Sequence, residues 1–378
     1  MLELILAGII AFGITLLSIP VIMRMAREKE LFDIPDGRKL HTRPIASLGG
    51  VGIFLGFLLA NLLTLSLNFH GEFPFFLAAA VVMFFTGLKD DILILSASKK
   101  FITQLGAAAL IIHFGNVRID SMHGFLGVYE LPEIISFALS YVTVIVVINS
   151  FNLIDGIDGL AGSLGVLTTS IFGIYFLMAN MPAYALFAFS MTASLLAFLV
   201  FNYNPAKIFM GDSGSLLLGL VNAILVIKFI TVADYSAGSF PIESSVAIGF
   251  SILLVPLLDT LRVFGIRIYR GKSPFSPDRN HIHHLLLDRG LNHRQVTAAC
   301  VATNLLFIGF AYYGRLLGST ILLSIIIPTC FGLVGIIKYY RRAKGTVVIS
   351  NRFRTTASAA ESKTRVVPIQ TDMAAADQ

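Results

Sequence analysis

Four short clusters concentrate side chains able to bind metal, phosphate or protons. The first is Gly87-Leu-Lys-Asp90-Asp91, at the end of an apolar run. Two adjacent carboxylates repel each other, so at least one wants a cation or a proton. A divalent metal or a lysine would serve. The plainer alternative is a solvated helix terminus, but the macrodipole disfavours carboxylates at a helix C-terminus. The second cluster is Asn149-Ser-Phe-Asn152-Leu-Ile-Asp155-Gly-Ile-Asp158-Gly, with a polar group at every third position. On one continuous helix each step of three falls about 60° short of a full turn, so Asn149 and Asp158 would face opposite ways. Gly156 and Gly159 predict a break there, which would let the four groups converge from two helix ends. Asp155 and Asp158 are then spaced to share a ligand or a metal. A polar turn with side-chain caps explains two of these residues but not all four.

The third cluster is Phe209-Met-Gly211-Asp212-Ser-Gly214-Ser. At a helix start it offers free backbone N–H groups to phosphate, and Asp212 supplies the hard oxygen that Mg²⁺ prefers. An ordinary N-cap would use the same residues. The fourth is Pro277-Asp278-Arg279-Asn280-His281-Ile282-His283-His284. Its histidines read first as a zinc site, but no Cys or Glu stands at a fitting spacing for four ligands. Beside Asp278 and Arg279 an anion pocket fits better, since imidazoles and a guanidinium suit a pyrophosphate. Arg38, Lys39 and His41 form a fifth, weaker group, which a topological signal alone would explain. Asp259, three residues before Arg262, is a candidate buried pair, and Pro256 predicts a kink beside it.

The elements that must position these groups are apolar helices. The chain has 378 residues, 56% hydrophobic and 13% charged, against about 25% charged in a soluble domain. Its mean hydropathy is +0.82. This excludes a soluble enzyme, a disordered protein and a disulfide scaffold. Cys300 and Cys330 sit in apolar runs and match no ligand or redox spacing. Runs long enough to cross a bilayer fall at approximately 2–23, 46–67, 72–88, 101–114, 134–150, 158–179, 183–201, 213–231, 244–266, 296–314 and 318–337. The first lacks a basic leader and a cleavage site, so it reads as a span rather than a signal peptide. The fold expected is an all-α polytopic membrane protein of about eleven transmembrane helices.

If all eleven cross, 24 of the 28 Lys/Arg lie on one side. By the positive-inside rule the N-terminus is outside and the C-terminus cytoplasmic. Asp90, Asp91, Asp155, Asp158 and Asp212 fall on that same side. The positive-inside rule does not ask for aspartates, and acids at the ends of apolar helices are costly and usually functional. The expected organisation is a catalytic membrane domain over residues 1–340. Its active-site loops lie near 24–45, 89–100, 149–158, 202–213 and 267–295. A basic, disordered tail follows over 341–378. From Lys338 onward eight Lys/Arg face three Asp/Glu, so most of the chain's net +6 sits at the end. That placement suits an anionic membrane face, not nucleic acid.

In this order the clusters resemble the polyprenyl-phosphate N-acetylhexosamine-1-phosphate transferase superfamily, over residues 1 to about 340. The His-Ile-His-His form looks like the branch that uses UDP-N-acetylglucosamine, whereas the muramoyl-pentapeptide branch shows three adjacent histidines. The resemblance implies that undecaprenyl phosphate reacts with UDP-GlcNAc in the bacterial inner membrane. Undecaprenyl-diphospho-GlcNAc and UMP result, with Mg²⁺ or Mn²⁺ required, at the start of O-antigen, common-antigen or teichoic-linkage synthesis. It implies that Asp212 binds the metal and that Asp90 and Asp91 serve the lipid phosphate. Asn152, Asp155 and Asp158 would line the nucleotide-sugar site, with Asn149 beside them. Phe209 would stack on uracil, and Arg279, His281, His283 and His284 would hold pyrophosphate or sugar. Arg38, Lys39 and His41 match the family's first-loop pattern. The alternatives are another UDP-N-acetylhexosamine as donor or, from a different class, a cation-coupled transporter. The sequence leaves a homodimer open.

Overall fold

The computed structural model describes residues 1–30, 45–65, 71–234, 240–271 and 281–339. Arg38, Lys39, His41, Asp278, Arg279 and the tail lie outside these residues. Thirteen α-helices carry the described chain: α1 (Leu2–Glu28), α2 (Gly49–Thr64), α3 (Phe73–Ile92), α4 (Ala97–Ala109), α5 (Glu133–Ile154), α6 (Leu160–Met178), α7 (Pro182–Asn202), α8 (Gly211–Ala233), α9 (Ser245–Ile252), α10 (Leu254–Tyr269), α11 (Ile282–Leu287), α12 (His293–Tyr313) and α13 (Ser319–Tyr339). A π-helical turn, Leu110–Phe114, continues α4. One two-stranded antiparallel hairpin, β1 (Ser121–Phe125) and β2 (Val128–Glu130), joins that turn to α5.

The fold is an all-α polytopic membrane protein. Among the described residues eight helices are long and apolar enough to cross a bilayer, and nine if α9 and α10 make one bent span. The other two predicted spans fall on α2, only 16 residues long, and on α4 with its π turn. Lys99 and Lys100 lie in the first turn of α4. Apolar side chains point outward all round, among them Ile5, Ile9, Phe85, Ile134, Leu306 and Tyr313. A soluble surface rarely shows so continuous a display.

Helix α8 forms the axis, packing against α2, α3, α5, α6, α7 and α9. Its N-terminus carries Asp212. That end is fixed by backbone pairing with the chain entering α2. Phe209 N–H donates to Ala46 O (2.8 Å), Gly49 N–H to Phe209 O (2.9 Å) and Gly50 N–H to Met210 O (2.8 Å). Gly211 starts the helix at φ +70°, a conformation glycine adopts without a Cβ penalty.

The kink expected at Pro256 occurs one turn earlier, as an 83° bend between α9 and α10. The displacement follows from proline chemistry: its ring clashes with the carbonyl four residues back, that of Ile252. In lipid the freed backbone groups must find partners. Fully buried Asn304 of α12 provides both. Its amide donates to Ile252 O (2.9 Å), and its Oδ1 accepts from Val255 N–H (2.9 Å). Asn304→Leu is expected to leave both groups unpaired, at about 1–3 kcal/mol each. Thermal unfolding in detergent, against Asn304→Gln, measures this.

Candidate active site

The helix ends bring together residues that the sequence scatters. Lys100, in the first turn of α4, places its ammonium against two carboxylates. It pairs with Asp90 at the end of α3, and with Asp212 Oδ2 at 2.5 Å. Asn152, in the last turn of α5, donates to Asp212 Oδ1 (2.9 Å) and to Ser215 Oγ (3.0 Å). Asp212 is therefore held on both oxygens by two other helices. Asp91 plays a different part. Its Oδ1 accepts from Asp212 N–H (2.7 Å) and its Oδ2 from Ser213 N–H (3.0 Å). It caps α8 across a helix boundary and answers the positive end of that helix's dipole. Gly87 makes this possible, since a Cβ there would sit 2.4 Å from the Asp212 carbonyl.

The expected break between spans five and six falls at residues 155–159, with Gly159 at φ +76°. The four polar groups around it do not converge on one point. Asn149 exchanges hydrogen bonds with the buried Gln104 (2.9 and 3.4 Å). Asp155 faces the carboxylates of Asp212, Asp91 and Asp158. Burial first, and then those three charges, push its carboxyl up to about 8. Asp158 turns away to accept from Asn204 (2.8 Å) and Ala206 N–H (3.1 Å), with His293 Nδ1 at 3.4 Å. Burial alone would raise Asp158, but these partners hold it below the usual carboxylate range.

The histidine cluster adjoins this turn. Buried His283 packs its ring on Gly156, where a Cβ would lie 2.4 Å from Nε2. Burial pushes its imidazole down to about 3, so it is neutral. Its ring stacks on His281 at 5.6 Å between centroids and lies 4.4 Å from His284. His281 directs Nδ1 at Asp259 Oδ2 (2.9 Å), while Asp259 Oδ1 accepts from Arg262 (2.8 Å) and Ile282 N–H (2.9 Å). Asp259 thus orients the start of α11. Phe209 is half-buried beside the N-terminus of α8.

The donor set suits a hard cation. Asp90 and Asp212 converge on a single positive charge, now the Lys100 ammonium. Magnesium is usually held by one or two carboxylates, with water and substrate phosphates completing its shell. Among the described residues no group of three His, Cys, Asp or Glu is arranged to hold a metal. Lys100, Gln104, Ser215 and His293 were not singled out by sequence. Only Lys100 had a signal, as a cation a short loop beyond two aspartates.

The raised Asp155 carboxyl makes stability depend on pH. Unfolded, the group titrates near 3.9; folded, near 8. The folded state therefore keeps a proton that the unfolded state releases between these values. Stability is undiminished below about pH 4 and falls as pH rises to 8. Asp155→Asn is expected to raise the melting temperature at pH 8.5 and leave it nearly unchanged at pH 4. Melting curves at both values check this.

Residues 73–230 match Glycosyl transferase family 4. Three relatives illustrate the likeness. The probable undecaprenyl-phosphate N-acetylglucosaminyl 1-phosphate transferase of Bacillus subtilis (strain 168) is 32% identical over 304 residues, covering 78% of this chain and 80% of that protein. The decaprenyl-phosphate N-acetylglucosaminephosphotransferase of Mycobacterium leprae (strain TN) is 31% identical, covering 82% and 83%. The undecaprenyl-phosphate alpha-N-acetylglucosaminyl 1-phosphate transferase of Escherichia coli O157:H7 is 28% identical, covering 72% and 73%. Aspartates gathered at one end of a membrane-spanning helix bundle, together with this likeness across most of the chain, make it a membrane phosphoglycosyltransferase that belongs to glycosyl transferase family 4.

Proposed function

We propose that this enzyme transfers GlcNAc-1-phosphate from UDP-GlcNAc to undecaprenyl phosphate. A phosphate oxygen of the lipid forms a bond to the sugar-bearing phosphorus, and the bond from that phosphorus to the bridging oxygen breaks. Undecaprenyl-diphospho-GlcNAc is formed and UMP leaves. The product would open O-antigen, common-antigen or teichoic-linkage type glycan synthesis. The observation that carries this reading is the Asp212 carboxylate, held by Lys100 and Asn152 beside Asp90. Phosphoryl transfer asks mainly for positioning and charge neutralisation, and the ends of four helices, α3, α4, α5 and α8, meet here to supply both.

Asp212 and Asp90 would hold Mg²⁺, or Mn²⁺ in its place. The ion would neutralise phosphate charge and polarise the reacting phosphorus. Asp91 gives each of its oxygens to a backbone N–H of α8, so it positions Asp212. Asp155, Asp158, His281, His283 and His284 form the side facing the nucleotide sugar. Phe209 offers a ring for uracil, and Arg279 a guanidinium for the pyrophosphate. Arg38, Lys39 and His41, which match the family's first-loop pattern, would bind substrate. An apolar cavity of 280 Å³ between α5 and α10, with Leu139, Val142, Val146, Leu257 and Leu261 in its walls, would take part of the prenyl chain. By the positive-inside rule the basic loops support a site at the cytoplasmic rim of the inner membrane.

Purified protein supplied with tritiated UDP-GlcNAc, undecaprenyl phosphate and Mg²⁺ is expected to form a lipid-linked product and UMP. The same assay with UDP-MurNAc-pentapeptide is expected to give none. Label transferred only from the pentapeptide donor would reassign the sugar, and no transfer from either would remove the proposal.

A further inference from the structure

Where the chain turns from α3 to α4 it exposes three successive apolar side chains, Ile92, Leu93 and Ile94. Ile94 is 99% exposed, so it makes almost no contact with the described residues. Leu93 and Ile94 lie beyond the last residue of α3, and the span itself does not account for them. On a turn in water such a run is a defect unless it has a function.

The place of the turn shows what meets it. The exposed stripe of α3 passes through Ala78, Phe85, Lys89 and Ile92 and runs directly into the turn. Ile102, in the second turn of α4, continues the apolar surface on the other side. The 20 residues of α3 rise about 30 Å, roughly the thickness of the hydrocarbon core. Leu93 and Ile94 therefore follow at the level of the headgroups, a layer of about 5–7 Å in each leaflet. Lys89 and Lys99 stand exposed on either side of the tip. An apolar tip between two ammonium groups complements an anionic lipid surface.

The same turn is tied to the carboxylate centre. Leu95 N–H donates to Asp90 Oδ1 (2.6 Å), and Asp90 pairs with Lys100. Leu93 N–H donates to Lys89 O (2.7 Å), and Lys100 N–H to Ser96 O (3.2 Å), so the turn is closed at both ends. The depth at which Ile94 rests then sets the depth of Asp90 and Lys100.

We propose that Leu93 and Ile94 are a lipid anchor. They insert into the headgroup layer of the leaflet on the carboxylate side and hold the Asp90–Lys100 pair at a fixed height against the bilayer. The occupant of this surface is the bilayer itself, with anionic headgroups against Lys89 and Lys99. The link to catalysis rests on the transferase reading above; the insertion does not.

The chain contains no tryptophan, so Ile94→Trp introduces a single fluorophore at a position where it displaces nothing. In full-length protein in nanodiscs containing phosphatidylglycerol, its emission is expected to be blue-shifted from that of free tryptophan and shielded from acrylamide. Lipids brominated near the glycerol end of the acyl chain should quench it more strongly than lipids brominated further down. Phe85→Trp, within α3, is the deeper reference and should show the reverse order. Ile94→Asp is expected to lower kcat/KM about tenfold in nanodiscs and less than twofold in detergent micelles, with an unchanged melting temperature. Ile94→Leu should behave as wild type. Full access of the introduced indole to acrylamide, with no quenching by either brominated lipid, overturns the anchor. Shielding from acrylamide without quenching by brominated lipid overturns the bilayer as occupant and indicates a protein surface instead. An equal loss of activity for Ile94→Asp in nanodiscs and micelles, or no loss in either, overturns the link to Asp90 and Lys100. If the wild type transfers no sugar phosphate, the transferase reading fails, while quenching still decides whether the turn enters the bilayer.

Discussion

Asp212→Asn is expected to lower turnover by roughly 10²–10³-fold, the scale on which loss of one preorganised electrostatic group is felt. The substitution is nearly isosteric. An asparagine oxygen can still accept the Asn152 hydrogen bond made at Oδ1. What disappears is the negative charge at Oδ2, where Lys100 now stands, and the replacement NH₂ points donors at an ammonium. The Asp91 cap on α8 uses backbone N–H groups of residues 212 and 213, so it survives. The helix should stay in place, with a melting temperature within a few degrees of wild type. Rate and melting measured on one preparation separate the two effects. Raising Mg²⁺ should not restore the rate, because a ligand is lost rather than weakened. A variant that turns over at near wild-type rate removes Asp212 from the centre of the mechanism.

The sequence shows the site's acids because they are out of place. Asp90, Asp91, Asp155 and Asp212 stand at the ends of apolar runs, where a carboxylate needs a reason. The helical fold is legible for the same cause: each apolar run coincides with a helix, even where α2 is short or α9 and α10 are bent. Partnership is less legible. Lys100 reads as one more topological cation, since its link to Asp212 spans 112 positions and depends on the packing of α3, α4 and α8. Gln104 and Asn304 carry no local signal, because what each does is set by a neighbour from another helix. The spacing of Asn149, Asn152, Asp155 and Asp158 suggests one meeting point. Two of the four remain on α5 and two lie past its end, so Asn149 turns to α4 and Asp158 toward α12.

The close packing that holds Asp212 supplies the second large effect, at Gly50. A Cβ on Gly50 would lie 2.1 Å from Gly214 N and 2.6 Å from Gly214 Cα. Both are backbone atoms of α8, so no side chain is available to move aside. Gly50 N–H also donates to Met210 O at 2.8 Å, which ties the same stretch to the start of that helix. Gly50→Ala must therefore shift the N-terminus of α8 relative to α2, and Asp212 with it. Overpacking of this kind costs about 1–3 kcal/mol, and a misplacement of roughly 1 Å in the reacting geometry costs about 10²-fold in rate. Turnover should fall about 10²-fold and the melting temperature should drop as well. Gly8→Ala in α1 is the matched control, because nothing lies within 4 Å of its added Cβ; it should leave both measurements unchanged. Wild-type activity in Gly50→Ala would mean that the approach of α2 to α8 is looser than these distances require, and that Asp212 is held by Lys100, Asn152 and the Asp91 cap alone.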